Sequence, residues 1–386
     1  MGELRPSSVA VVLGTRPEII KLGHLIRLLG PAARVIHTGQ HYDATLTDVF
    51  FEAFGIATTG ELVGVGGKAR GDQIGLALSS LERAFLDDRP DAVVVQGDTN
   101  STVAAALAAN AREIPLIHVE SGLRSFDRRM PEEHNRVITD HLADLCLAPT
   151  PTALENLTAE GIPEDRIIFT GNTIVEAVNT LLPSAGVRQE ILSRQHVSSA
   201  RYVLSTFHRP ENVDDPTTLA RIFDELARLP LPVLLPLHPR SKAHLSKFGI
   251  RPSDQIRIIE PIGYTDFLSL LAECAFAVSD SGGLQEEASI VKRPILVVRR
   301  STERPEVLGT FARLVSTSQS MMAEAHDWIL NPDEVHQGLT GIDTPFGDGS
   351  ASQRSVDALA DLIKGRQRQP TAADYVSSPA PHLTMK

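Results

Sequence analysis

Short apolar runs alternate along this chain with longer stretches whose apolar positions recur every three or four residues. The runs 8–13, 34–38, 92–96, 116–119, 145–148 and 167–170 have the length of buried strands. Between them, the segment from Pro17 to about Leu29, a stretch through Phe50 and Phe54, residues 72–86 and an alanine-rich stretch reaching Arg112 carry helical spacing; a glycine-rich loop covers 64–71. A second series follows, with strands over 202–206, 233–237, 256–259, 276–279 and 295–298. Its helices cover 217–229 and 266–273, and a closing helix covers 352–364. Strands that alternate with helices predict parallel sheets. The fold class expected is α/β, with two Rossmann-like, doubly wound domains facing each other across a cleft. The boundary falls within 171–182, giving domains 1–178 and 179–364, and the closing helix could cross back to the first domain. From 365 to 386 the composition turns polar and proline-bearing, as in a frayed tail.

Strand after strand ends in polar residues. Arg16, His41, Asp98 and Glu120 follow strands of the first series; His208, His238, Asp280 and Arg299 follow strands of the second. Ligands of open α/β sheets bind beyond the carboxyl ends of the strands, so the pattern predicts a single site between the domains.

Composition changes this picture little. A chain of 386 residues exceeds one ordinary core, in keeping with two domains. A net charge of -11 lacks the basic footprint of a nucleic-acid binder, though it leaves room for a local basic pocket. Cys146 and Cys274 sit inside apolar segments as small hydrophobes, with no disulfide framework and no zinc-site spacing. No segment is long and apolar enough to span a bilayer and the first apolar run is only strand length, so a cytoplasmic protein is expected, without a membrane partner.

Chemistry concentrates in residues 118–140. A strand stops at Glu120; a loop carries Arg124, Asp127, Arg128 and Arg129; Pro131 then opens a helix with Glu132 and Glu133 in its first turn and Asn135 and Arg136 behind them. Asp98, Glu120 and Glu132 are the candidates for acid–base work, because carboxylates sharing a partly buried cleft raise one another's pKa. The plainer alternative is a helix cap for Asp98 and a dipole-complementing acid for Glu132. Farther along, Ser281-Gly282-Gly283 joins a strand to a helix. Its glycines let the backbone approach a ligand, the helix start offers amides to a diphosphate, and Glu287 could accept from ribose hydroxyls.

Neither a Walker Gly-Lys-Ser/Thr nor the Gly-x-Gly-x-x-Gly dinucleotide fingerprint is present, so the chain offers no redox-cofactor motif. Arg16, Lys21, Arg299 and Arg304 are the cations suited to the diphosphate, the alternative for the last two being surface pairs with Glu303 or Glu306. His208 and His238 read as donors or acids near the phosphates. A metal would need a third ligand, and neither His-x-x-x-His nor Cys-x-x-Cys occurs, so none is expected.

In order and context, residues 14–21, 38–43, 96–102, 118–140, 207–212, 238–240, 259–267, 279–287 and 299–306 resemble the non-hydrolysing UDP-N-acetylglucosamine 2-epimerases. That resemblance implies a fold like the GT-B glycosyltransferases, a homodimer and no redox cofactor. It implies elimination of UDP across C1 and C2 of the sugar, giving 2-acetamidoglucal, then re-addition with a proton delivered to the other face of C2. Carried onto matching positions, it makes Asp98, Glu120, Glu132 and His208 catalytic. Arg136 then orients Glu132 or touches substrate, and Arg16, Lys21, His238, Phe267, Ser281, Gly282, Gly283, Glu287 and Arg304 bind the UDP-sugar. Phe267 would pack near uracil, unless it is a core residue of its helix.

Two positions depart from the pattern. Asp43 stands where some members carry a glutamine of an allosteric site, implying weak or absent activation by the substrate. Ile262 replaces a nucleotide-contacting glutamine of some members. Four other readings compete. A 2-epimerase of a UDP-2,3-diacetamido uronic acid could use an extra arginine of the 128–133 segment on the C6 carboxylate. The others are a hydrolysing epimerase, a GT-B glycosyltransferase and a non-catalytic sugar-nucleotide sensor.

Overall fold

The computed structural model describes residues 4–40, 51, 54–56, 58–62, 64–237 and 239–365. His41, Asp43, His238 and the tail after Gly365 therefore lie outside the described residues, and with them the expectations about substrate activation, one phosphate contact and a frayed end.

Among the described residues, thirteen strands form two sheets. The first holds β1 (Val9–Leu13), β2 (Ala33–His37), β3 (Gly60–Glu61), β4 (Ala92–Gln96), β5 (Leu116–Val119), β6 (Leu145–Ala148) and β7 (Ile167–Phe169), in the order β3-β2-β1-β4-β5-β6-β7. The second holds β8 (Val203–Thr206), β9 (Val233–Pro236), β10 (Ile256–Ile259), β11 (Phe276–Ser279), β12 (Ile295–Val298) and β13 (Ala312–Val315), in the order β10-β9-β8-β11-β12-β13. Every strand pairing is parallel. The α/β class with two doubly wound sheets is thus the one observed. The central strands are apolar at nearly every position because helices cover both of their faces; β1 and β4 are buried throughout.

The sequence reading did not anticipate β3 and β13. The first is only two residues long, and the second, Ala-Arg-Leu-Val, carries a charge on a sheet edge. Neither presents the apolar run that marks a central strand.

In each sheet the chain reverses its direction of winding once, between β1 and β4 in the first and between β8 and β11 in the second. Such switch points leave a crevice at the carboxyl ends of the two strands concerned. Two helices connect the sheets. Ile174, Val175 and Val178 of helix Ile174–Leu181, and Val356 and Leu359 of helix Ala351–Ile363, belong to one apolar cluster that also contains Val11 of β1 and Leu204 of β8. Helix Ala351–Ile363 packs against helix Arg16–Leu29, which follows β1. Among the described residues no helix is long and apolar enough to cross a membrane.

Candidate active site

A cleft of about 500 Å³ opens where the two switch points face each other. Its first wall comes from Thr15 after β1 with Arg16 and Glu18 in the first turn of helix Arg16–Leu29, the loop after β4 (Gly97, Asp98, Thr99) and Glu120 after β5. Its second wall comes from His208 after β8, Ser281, Gly282 and Gly283 after β11, and Glu303 and Arg304 after β12.

Glu120 holds the centre of the first wall. Its backbone lies in the left-handed region (φ 65°), a strained conformation for a residue with a Cβ, and it turns the carboxylate off the strand end. Gly122 (φ 82°) completes the turn, since a Cβ there would lie 2.3 Å from the Ala153 carbonyl oxygen. The Glu120 carboxylate receives Lys21 Nζ at 2.6 Å, Arg304 Nη2 at 3.0 Å and a short hydrogen bond from Gln96. Lys21 and Arg304 also grip Glu286, at 2.8 and 2.7 Å. Arg304 reaches Glu303 at 2.6 Å, and Glu303 takes Arg299 at 2.7 Å. Lys21 and Glu120 belong to the first half of the chain and Glu286 and Arg304 to the second, so one buried charge cluster joins both walls.

Burial raises the pKa of Glu120, and the neighbouring Glu286 charge adds to this; Lys21 and Arg304 offset only part of it. Burial pushes Glu286 up as well, but Arg304 and Lys21 outweigh it and hold that carboxyl below its usual range. Glu120 is accordingly the more readily protonated member of the pair.

Asp98 is gripped by Arg136, whose other Nη lies 2.6 Å from Glu133. Asn135 donates to the Asp98 carbonyl at 2.9 Å. Helix Pro131–Leu142 thus turns a buried polar stripe, Asn135, Arg136, Thr139 and Asp140, toward the acid loops. Glu132, one turn earlier, is solvent-exposed but lines the cleft.

In the second wall, Ser281 caps helix Gly282–Ile290 by accepting from the Leu284 amide at 3.4 Å. The amides of its first turn have no acceptor within the helix. Gly282 is required by close approach, as a Cβ there would meet Glu303 Oε1 at 2.6 Å. Outside its own helix turn, Gly283 has no protein atom within 4 Å of its would-be Cβ, and it lines the cleft. Glu287 takes a hydrogen bond from Tyr264 Oη at 2.7 Å, and burial raises its pKa to about 7. His208 Nδ1 lies 3.0 Å from Asp280 Oδ1, and its side chain is 59% exposed at the rim. Phe267 lines the cleft while packing on the core, which joins both readings of that residue.

Asp98, Glu120, Glu132, His208, Arg16, Lys21, Arg136, Phe267, Ser281, Gly282, Gly283, Glu287 and Arg304 all line this cleft. The cations are not equivalent, however. Arg16 is exposed to the cleft, whereas Lys21 and Arg304 are engaged by carboxylates. Arg299 does not line it; it is buried against Glu303 rather than in a surface pair.

The sequence reading passed over Glu286 and Glu18. Glu286 sits four residues after Gly282, on the same helix face, a spacing that could have revealed it. Glu18 stands three residues after Thr15, the spacing of a capping box. It accepts from the Gly14 amide at 3.0 Å, Thr15 Oγ1 at 2.8 Å and Thr99 Oγ1 at 3.0 Å, and burial raises its pKa to about 7. That carboxyl ties the β1 loop to the β4 loop. Among the described residues no cluster of side chains suited to a metal ion is found.

Residues 31–360 match the family described as UDP-N-acetylglucosamine 2-epimerase. A protein of that name from Methanocaldococcus jannaschii is 39% identical over 365 residues, covering 91% of this chain and 98% of the relative. The UDP-2,3-diacetamido-2,3-dideoxy-D-glucuronate 2-epimerase of Pseudomonas aeruginosa is 33% identical over 365 residues, covering 92% and 99%. The crystal structure of the Methanocaldococcus jannaschii UDP-GlcNAc 2-epimerase in complex with UDP-GlcNAc and UDP superposes with a TM-score of 0.82 at 38% identity, covering 91% of this chain and 99% of that one.

Proposed function

The chain belongs to the UDP-N-acetylglucosamine 2-epimerase family and is an epimerase, and from that premise we propose that its cleft interconverts UDP-N-acetylglucosamine and UDP-N-acetylmannosamine. One observation carries the proposal: Asp98 and Glu120, beyond strands of the first sheet, and Glu132, on helix Pro131–Leu142, share a cavity with the Ser281-Gly282-Gly283 turn of the second sheet.

In this reading residues 179–364 form the lobe that holds UDP and residues 1–178 the lobe that works on the sugar. The Gly282 and Gly283 amides and the Arg16 guanidinium receive the diphosphate, where a helix start and a planar fork both suit phosphate oxygens. Glu287, with Tyr264 on one carboxylate oxygen, offers the other to ribose, and Phe267 packs against uracil. His238 is assigned to the same ligand.

A carboxylate removes the C2 proton. The C–H electron pair becomes the C1–C2 double bond of 2-acetamidoglucal, and UDP leaves with the electrons of the C1–O bond. His208, backed by Asp280, hydrogen-bonds or protonates the departing phosphate oxygen. UDP then re-adds at C1 while a second acid delivers a proton to the opposite face of C2. Two acids on opposite faces are needed because the centre inverts. Burial of Glu120 brings its proton exchange closer to neutrality, Lys21 and Arg304 fix its position, and Arg136 fixes Asp98. We further propose that the enzyme works as a homodimer in the cytoplasm.

The uronic-acid reading has less support. Arg128 and Arg129 are absent from the cleft lining, and Arg129 is paired with Asp127 at 2.7 Å. Offering the protein UDP-N-acetylglucosamine and the diacetamido uronate separately, with products identified by NMR, tests the proposal. The manno isomer should form from UDP-N-acetylglucosamine at a far higher kcat/KM than the uronate reacts. A preference for the uronate, or inertness toward both, would overturn it.

A further inference from the structure

We propose that His118 and Asp140 form a buried strut that sets the separation of the two acid-bearing loops, making them positioning residues for the epimerisation. This role rests on Asp98 and Glu120 being the groups that exchange protons with C2, as proposed above.

His118 sits on β5, two residues before Glu120, and its side chain is wholly buried. Its Nε2 lies 2.8 Å from the carbonyl oxygen of Gly97, the residue before Asp98. Its Nδ1 lies 2.6 Å from Asp140 Oδ1. The other oxygen of Asp140 accepts from the Gly122 amide at 3.1 Å, two residues after Glu120. A continuous chain of hydrogen bonds therefore runs from the Asp98 loop, through His118 and Asp140, to the Glu120 turn. Neither residue lines the cleft, so neither touches substrate in this arrangement.

The chemistry of the two partners constrains the histidine. A carbonyl oxygen and a carboxylate oxygen can only accept, so the ring donates from both nitrogens. Asp140 is kept as a carboxylate despite its burial, because His118 and Arg124 hold its pKa below the usual range, with Arg124 Nη2 2.7 Å from Oδ2. Arg124 is in turn held by Glu160 at 2.7 Å. Cys146, which pairs with His118 in the β5–β6 ladder, keeps its thiol neutral because burial raises its pKa. A ring that donates twice is a rigid spacer. A neutral tautomer would release one of the two loops.

Displacing a reacting group by about 1 Å can cost roughly 10²-fold in rate. Asp140→Asn keeps the shape and removes the charge that the double donor needs. It should lower kcat by about 10²-fold while KM for UDP-N-acetylglucosamine and the affinity for UDP stay within a few-fold. In ring-¹⁵N-labelled wild-type protein both His118 nitrogens should show the signals of N–H donors, and in Asp140→Asn one should show that of a bare acceptor. The spectrum needs no turnover, so it stands even if the substrate is misassigned or the variant folds poorly. A bare ring nitrogen on His118 in wild-type protein at neutral pH would overturn the proposal, as would an Asp140→Asn enzyme with unchanged kcat. A loss shared equally by kcat and UDP affinity would reduce the pair to a general structural role and equally overturn it.

Discussion

Arg304, from the second half of the chain, donates to Glu120, from the first, at 3.0 Å across the cleft. The same guanidinium carries Glu286 and Glu303, so one cation compensates three buried acids. Removing one partner of a buried pair leaves an uncompensated charge, which costs roughly 3–5 kcal/mol. Arg304→Ala should lose stability on that scale in denaturant titrations. A loss below about 1 kcal/mol would show that the cluster is not held by this residue.

The glycine pair separates fold from ligand. Gly282→Ala should disturb Glu303 and Arg304, whose atoms lie 2.6 and 2.8 Å from the added carbon, and lower the melting temperature. Gly283→Ala meets no protein atom within 4 Å beyond its own helix turn. It should leave stability unchanged or raise it by up to about 1 kcal/mol, as alanine suits a helix better. Calorimetric titration with UDP should nevertheless show weaker binding to the Gly283 variant. Unchanged affinity would move the diphosphate elsewhere.

Glu18 gives stability a pH dependence. Its carboxyl titrates at about 7 when folded, against a reference of 4.5, because burial disfavours the charge more than its hydrogen bonds favour it. The folded state therefore binds the proton more tightly. Its contribution is complete below about pH 4.5 and disappears as pH rises through 7. At about 1.4 kcal/mol per pKa unit, Glu18→Gln should remove roughly 3 kcal/mol of the decline in unfolding free energy between pH 4.5 and pH 8. Parallel stability–pH curves for wild type and variant would remove Glu18 as its source.

The rim histidine should behave differently. His208 is largely exposed, so His208→Asn should change stability by no more than about 0.5 kcal/mol. If it assists the leaving phosphate, turnover should fall by roughly 10²–10⁴-fold in steady-state assays. Retained turnover would leave UDP departure unassisted by this side chain.

These predictions draw on two kinds of information, and only one of them was legible in the sequence. Strand ends at Arg16, Asp98, Glu120 and His208 could be read because apolar runs stop abruptly at polar residues, and topology then brings those ends to one place. The charge cluster could not be read in that way. Lys21–Glu120 spans 99 positions and Arg304–Glu120 spans 184, and no local spacing signals such pairings. Glu286 is the exception, since its place four residues after Gly282 puts both on one helix face. Sequence shows Lys21 and Arg304 as cations suited to phosphate but not the carboxylates that hold them. The same holds for Arg299, whose partner Glu303 is visible in the sequence while the burial of the pair is not.

The central claim is that carboxylates of the first lobe exchange the C2 proton of the sugar, and hydrogen exchange reads this directly. UDP-N-acetylglucosamine is incubated in deuterated water with wild type, Asp98→Asn and Glu120→Gln, with ¹H NMR following C2. The account predicts one deuteron at C2 of both epimers with wild type. Each amide variant should exchange at least ~10²-fold more slowly while binding UDP with similar affinity. A manno product that keeps its original C2 proton, or variants that exchange at the wild-type rate, would contradict it.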